Sequence, residues 1–117
     1  MERGNAILDL SFEFALEIIS YCDLLENNKK FVLSNQLMKS GTSIGANIRE
    51  AQHAESKTDF IHKMKIAAKE AAETNYWLIL CKRAANCPDP GRLLEDIQSI
   101  EKLLSKIIST SKRSIAH

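Results

Sequence analysis

The chain has 117 residues, of which 44% are hydrophobic and 26% are charged, and its formal net charge is +1. This length is that of one domain with a buried core, and the charge excludes a chain that is strongly basic throughout, as many nucleic-acid-binding proteins are. The 4 glycines and 2 prolines leave little material for turns, so a few long elements are expected rather than many short ones.

The first predicted helix spans residues 5–27 and carries two apolar stripes. One stripe has steps of three and four residues, which is typical of a helix that faces a core. Its members are Ile7, Leu10, Phe14, Ile18, Tyr21 and Leu25. The second stripe lies beside it and includes Leu8, Phe12 and Ile19. Because one bundle can bury only one of these stripes, the second is predicted to contact another subunit.

The second predicted helix, residues 29–54, has weak helix formers in its middle. Gly41 and Gly45 lie on one face, and each glycine costs about 1 kcal/mol relative to alanine. Small residues at this spacing allow another helix to approach closely. The sequence therefore predicts that this face packs on Ala67 and Ala71 of the third helix.

Asn47 lies two residues beyond Gly45, and a buried asparagine requires hydrogen-bond partners. The candidate partners are on the third helix: Glu70, Glu73, Thr74 and Asn75. We interpret this polar set as a device that fixes the register between two closely packed helices. The alternative interpretation is a polar ligand pocket.

The third predicted helix covers residues 57–85 and begins at a capping box formed by Ser56 and Asp59. The fourth covers residues 90–112, and its start is signalled by the dipeptide Asp89–Pro90.

A polar tail at residues 113–117 is expected to fray. Four long helices with short connections predict an all-α fold, an antiparallel up-down-up-down four-helix bundle in a single domain.

The sequence contains no convincing catalytic, cofactor-binding or metal-binding motif. Three cysteines form no C-x-x-C pair, and Glu70 is followed three residues later by Glu73 rather than by the histidine of a di-metal site. Neither Ser40 nor Ser43 has a base at a suitable spacing. With no signal peptide and no apolar run of membrane-spanning length, a cytoplasmic protein with free thiols is expected.

Charge is unevenly distributed along the chain. Residues 1–28 have a net charge of −5, and residues 29–117 have a net charge of +6. The acidic first helix could pair with basic residues within the subunit or across subunits, or these could be solvated faces. Basic residues around the start of the third helix could contact phosphates or only increase solubility. These residues are Arg49, Lys57, Lys63, Lys65 and Lys69.

A family resemblance covers nearly the whole chain and is strongest in the stretches "SIGANIREA" and "DFIHKMKIAAKEAAETNYWLILCKRA". These stretches resemble bacterial four-helix-bundle proteins encoded in intervening sequences of 23S ribosomal RNA genes. The same family includes accessory variability proteins of diversity-generating retroelements. The resemblance implies a homopentamer without enzymatic activity. In the retroelement branch it also implies reverse transcriptase and nucleic acid as partners, engaged by a strongly basic surface.

The net charge of +1 departs from that strongly basic surface. We therefore expect a non-enzymatic, self-assembling helical module that needs no cofactor. The alternative is an RNA- or DNA-binding accessory protein, of the kind that partners a reverse transcriptase, that uses the local basic face.

Overall fold

A computed structural model describes residues 5–116, which form four α-helices. They are α1 (Asn5–Asn27), α2 (Phe31–Ala51), α3 (Lys57–Arg83) and α4 (Leu93–Ala116). No strand occurs within this part of the chain. The all-α fold predicted from the apolar periodicity is confirmed.

The helices form an antiparallel bundle in which sequence neighbours pack side by side. Helix α2 contacts α1 and α3, while α4 contacts α3 and α1. Among the described residues, the pairs α1–α3 and α2–α4 make no such contact, so each pair lies diagonally across the bundle. Helices α1 and α3 therefore run in the same direction and finish at the same end of the molecule.

The core is formed by one apolar stripe from each helix. Phe14 and Ile18 of α1, for example, are almost completely buried. Burying a side chain of this size contributes about 1.5–3 kcal/mol, so these stripes are the main source of stability. The largest buried side chains of the other helices are Leu37, Ile44, Ile48, Met64, Leu78, Ile97, Ile100 and Leu104.

Local backbone chemistry sets the helix ends, and the predicted first residues of α2 and α4 are wrong. Helix α2 begins at Phe31 rather than at residue 29, because Lys29 has a φ of +62°. Backbone N–H groups of Lys29 and Lys30 donate to the carbonyls of Glu26 and Leu25, which closes α1 in a Schellman motif. This left-handed residue prevents α1 from continuing directly into α2.

The hydrogen bond that defines the predicted N-terminal cap of α3 is present. The Asp59 backbone N–H donates to Ser56 Oγ at 3.0 Å, which satisfies one free donor of the first turn. The Asp59 carboxylate accepts from the backbone of Glu55 rather than from that of Ser56.

Helix α2 ends at Ala51 and α3 at Arg83, both short of the predicted residues 54 and 85.

Asp89 and Pro90 do not begin α4 directly. Gly91 follows with a φ of +60°, so the chain makes a turn before the helix starts at Leu93. Asp89 accepts from the Gly91 backbone N–H at 3.1 Å and therefore caps this turn. At its other end α4 continues to Ala116, beyond the predicted end at 112, and residue 117 lies outside the described residues.

None of the four helices is long and apolar enough to cross a membrane. Within residues 5–116, no three His, Cys, Asp or Glu side chains converge as metal ligands would. The three cysteines are free thiols.

Candidate assembly surface

The small-residue face of α2 packs on α1, which corrects the predicted pairing with α3. A Cβ added at Gly41 would lie 3.0 Å from two side-chain carbons of Ile18, and one added at Gly45 would lie 3.3 Å from Ser11 Oγ. Both of these neighbours belong to α1. Ala67 and Ala71 are instead buried in the core on α3. The glycines do permit close packing, but with the other neighbouring helix.

Asn47 does not contact α3 through the predicted hydrogen bonds. Its side chain is half-buried and donates to the carbonyl of Ser43 at 2.8 Å, one turn earlier in α2. Glu73, its predicted partner, is exposed and accepts from Trp77 Nε1. These hydrogen bonds lie within single helices, so neither residue makes the predicted contact between α2 and α3.

The buried polar contact between α2 and α3 uses Thr74, one of the predicted α3 residues, but its α2 partner is Ser40 rather than Asn47. Thr74 Oγ1 donates to Ser40 Oγ at 2.9 Å, and both side chains are buried. A buried hydroxyl pair of this kind costs little because its polar atoms are satisfied. It takes the register role that the sequence assigned to Asn47.

The predicted basic residues do not form one face. Lys63 pairs with Glu50 of α2 at 2.9 Å, whereas Lys57 donates to Ser114 of α4 at 3.1 Å. These contacts lie on opposite flanks of α3. Arg49 instead lines a groove between α1 and α2.

Lys65 and Lys69 remain exposed on α3 without an ion pair in the described part of the chain. Lys65 lies close to Lys112 of α4, and this neighbour lowers the pKa of Lys112. Lys112 lines a groove of about 360 Å³ between α3 and α4, together with Ser105 and Ser109. The acidic residue Glu101 lines the same groove.

The second apolar stripe of α1 is on the surface. Phe12 is 52% exposed, Leu16 48% and Ile19 41%. We call these three residues the α1 stripe. They recur at steps of four and three, so they lie along one line of the helix. Leu16 was not among the predicted contact residues, although its spacing from Phe12 and Ile19 could have identified it.

Leu8, the third predicted contact residue, is half-buried and packs against the core. It also lines a groove of about 290 Å³ between α1 and α2, next to Phe12 and Ala15. Gly45 forms part of the same groove. The α1 stripe is therefore bordered by a largely apolar depression, in which side chains from a partner could be accommodated.

A row of carboxylates runs beside the α1 stripe. We call Asp9, Glu13 and Glu17 the acidic row; all three are exposed. Helix α1 contains no basic residue, and neither ion pair among residues 5–116 involves α1. Pairing of the acidic helix with basic side chains of its own subunit is thus not observed within the described residues.

A buried polar cluster at the end of the bundle has a structural role. Tyr21 donates its phenolic hydrogen to the Pro88 carbonyl at 2.5 Å, which ties the α3–α4 connection to α1. Burial is the largest factor that raises the pKa of Cys81, to about 11. This thiol is protonated at neutral pH and is a poor nucleophile.

These features define a helical-bundle protein with an exposed apolar and acidic face on α1. The family model described as 23S rRNA-intervening sequence protein matches residues 3–106. The chain belongs to this family, as the resemblance indicated.

The chain is also similar to a protein of unknown function from the S23 ribosomal protein family of Bacteroides thetaiotaomicron VPI-5482, whose crystal structure was determined at 1.70 Å. The two are 48% identical, and the match covers 87% of this chain and 97% of the other, with a TM-score of 0.82. Among curated proteins, none matches the chain. Neither the family nor the similar protein is described by an enzymatic activity.

Proposed function

We propose that this protein is a non-enzymatic module that assembles with copies of itself through the α1 stripe. The exposure of Phe12, Leu16 and Ile19 along one line carries this proposal. Contiguous apolar patches of this kind on soluble proteins commonly mark interaction sites, because burying them removes apolar surface from water.

The acidic row supports the same surface. Its carboxylates have no intramolecular ion pair among the described residues, although Arg92, just before α4, lines the same groove as Glu13 and Glu17. These carboxylates can therefore meet basic side chains of another subunit. The contact would then have an apolar centre with a polar rim, which is the usual anatomy of a protein interface. A closed ring of five subunits is the form of assembly that the family resemblance suggests.

The test is to compare the mass of the wild-type protein with that of Phe12→Asp by light scattering. The substitution places a charge in the apolar contact, and we expect the assembly to dissociate. Phe31→Asp is a matched control, because Phe31 is 55% exposed but lies in the first turn of α2. This control should retain the wild-type mass.

Circular dichroism on all three proteins would establish that the helices are intact. A wild-type mass near the 13.2 kDa of one chain, at concentrations up to about 1 mM, would refute self-assembly. A mass five times that of the chain would support the five-subunit ring.

Nucleic-acid binding is a second candidate function, and the proximity of Lys65 to Lys112 favours it. Two neighbouring ammonium groups can attract a phosphate, although Glu101 lines the same groove as Lys112. Gel shifts with structured RNA over a range of salt concentrations would test it, because phosphate contacts give a steep salt dependence. Lys112→Gln should reduce that dependence, whereas Lys63→Gln should not, because Lys63 already pairs with Glu50.

A further inference from the structure

Helix α3 carries a second exposed apolar surface, on the opposite side of the subunit from α1. Tyr76 is 56% exposed, and Ile79 and Leu80 are exposed beside it. Their spacing places them on the outer side of α3, since Leu78 and Cys81 of the same turns face the core. We call these three residues the α3 patch.

Basic residues lie along the same side of α3. Lys65 and Lys69 precede the α3 patch and Arg83 follows it, and all three are exposed. None of them belongs to an ion pair within residues 5–116. The outer side of α3 is therefore apolar and basic, whereas the outer side of α1 is apolar and acidic.

Two acidic residues of α1 also match basic residues of α3 in height along the bundle. Helices α1 and α3 run in the same direction and end at the same end of the bundle. Asp9 and Lys65 each lie 18 residues before the last residue of their helix, and Glu13 and Lys69 each lie 14 before it. At a rise of about 1.5 Å per residue, Asp9 is therefore level with Lys65 and Glu13 with Lys69, whereas Glu17 is level with the exposed Glu73.

The same charges disfavour contacts between identical faces. Two α1 faces brought together would bring one acidic row towards another, and two α3 faces would do the same with Lys65, Lys69 and Arg83. Like charges at close range oppose association, and opposite charges favour it. A second copy of this chain supplies the complementary face that either helix needs.

From these observations we propose that the α1 stripe of one subunit docks on the α3 patch of the next. This inference rests on the proposed self-assembly and specifies the surface that α1 contacts. The contact is heterologous, so each subunit uses α1 towards one neighbour and α3 towards the other. A closed ring and an open filament can both be built from this contact.

The decisive experiment mixes two variants that each retain one intact face. Phe12→Asp keeps the α3 patch, and Tyr76→Asp keeps the α1 stripe. Each variant alone should be monomeric, because propagation needs both faces. A mixture should give a one-to-one complex with twice the mass of the chain, measured by sedimentation velocity. Ile79→Asp serves as a second α3 variant if Tyr76→Asp loses its helical circular dichroism.

A wild-type mass for both α3 variants would overturn the docking surface but leave self-assembly through α1 intact. Failure of the two monomeric variants to form a complex when mixed would also overturn it. A monomeric wild-type protein would instead refute the self-assembly on which the inference rests.

Charge reversal provides an independent measurement. Glu13→Lys and Lys69→Glu should each weaken wild-type assembly about fivefold at low salt, since each places like charges opposite one another. The double variant should recover most of the loss. Equal and additive losses without recovery would exclude the proposed register.

Discussion

Neighbouring helices pack differently in two parts of the bundle, at the α1–α2 contact and at the α3–α4 contact. At the first, glycines let the helices approach until Ile18 fills the space where a Gly41 side chain would stand. At the second, a groove of about 360 Å³ remains open between the helices. Asn75 Nδ2 donates to Glu101 at 3.2 Å there, while Asn75 Oδ1 is buried without a partner among the described residues.

This difference shows what small side chains achieve in a bundle. Glycine in mid-helix weakens the isolated helix by about 1 kcal/mol, but at Gly41 it creates a contact whose fit depends on shape. The α3–α4 contact includes a polar pair beside its apolar residues, and Asn75 Oδ1 of that pair lacks a hydrogen bond within the described chain. The first contact should therefore be sensitive to added volume, and the second should be improved by a change of polar chemistry.

The largest effect is expected from Gly41→Leu, which adds volume directly over Ile18. Even a Cβ at this position would be 3.0 Å from two Ile18 carbons, so a full side chain must separate the helices. We expect a loss of about 3 kcal/mol in the free energy of unfolding, the upper part of the range for overpacking. Urea denaturation measures it, and a loss below about 1 kcal/mol would contradict close packing.

The helix stripes predicted most of this architecture, because large apolar residues at helical spacing identify the side of each helix that faces the core. They could not identify the partner of Gly41 and Gly45. Helix α2 has two neighbours, and the alanines of α3 appeared to match the glycines as well as any residues of α1 did. Periodicity gives the direction of a side chain around its own helix, whereas the neighbour on each flank depends on the packing of the whole bundle.

Polar residues predicted contacts within one helix better than contacts between helices, because the neighbouring helix depends on the packing of the whole bundle. Ser56 caps α3 as predicted, since a capping contact requires only residues close in sequence. Asn47 also makes a local bond, to Ser43, and this bond replaces the predicted contact with α3. At α4, the left-handed Gly91 delays the helix that Asp89 and Pro90 were predicted to begin. The α1 stripe was predicted because α1 carries more apolar residues than one core-facing side requires. The α3 patch was not predicted.

A gain in stability is expected from Glu101→Gln at the α3–α4 contact. Burial raises the pKa of Glu101, so its ionised form is disfavoured in the folded state. A glutamine removes this charge, and its amide can donate to Asn75 Oδ1. We expect the variant to be more stable by about 1 kcal/mol at pH 7, measured by urea denaturation.

The pH dependence checks this explanation. Because folding raises the pKa of Glu101, its favourable contribution is complete below the pKa of the unfolded chain and is lost as pH rises through the folded-state value. The advantage of the glutamine should therefore shrink in acid. Glu95→Gln, an exposed change in the first turn of α4, should give no gain at either pH. An equal gain from both variants would contradict the role of burial.

The smallest effect is expected from Gly45→Ala, at the same contact as Gly41. Its added Cβ would lie 3.3 Å from Ser11 Oγ but 3.5 Å from Ser11 Cβ, so the hydroxyl alone is crowded. This hydroxyl donates to the Leu8 carbonyl at 3.2 Å and cannot rotate away without losing that bond. The gain of about 1 kcal/mol in helix propensity is then largely offset, and we expect a net change near zero.

Removing the Ser11 hydroxyl should allow the gain in helix propensity from Gly45→Ala to appear as a gain in stability. In a Ser11→Ala background the nearest side-chain contact is an ordinary one, so Gly45→Ala should then stabilise the protein by about 1 kcal/mol. Gly45 also lines the groove beside the α1 stripe, so the double-mutant cycle is best measured in Phe12→Asp, where assembly is expected to be absent. The same change from Gly45→Ala in both backgrounds would show that Ser11 imposes no steric limit, and that α1 and α2 are less closely packed at Gly45 than at Gly41.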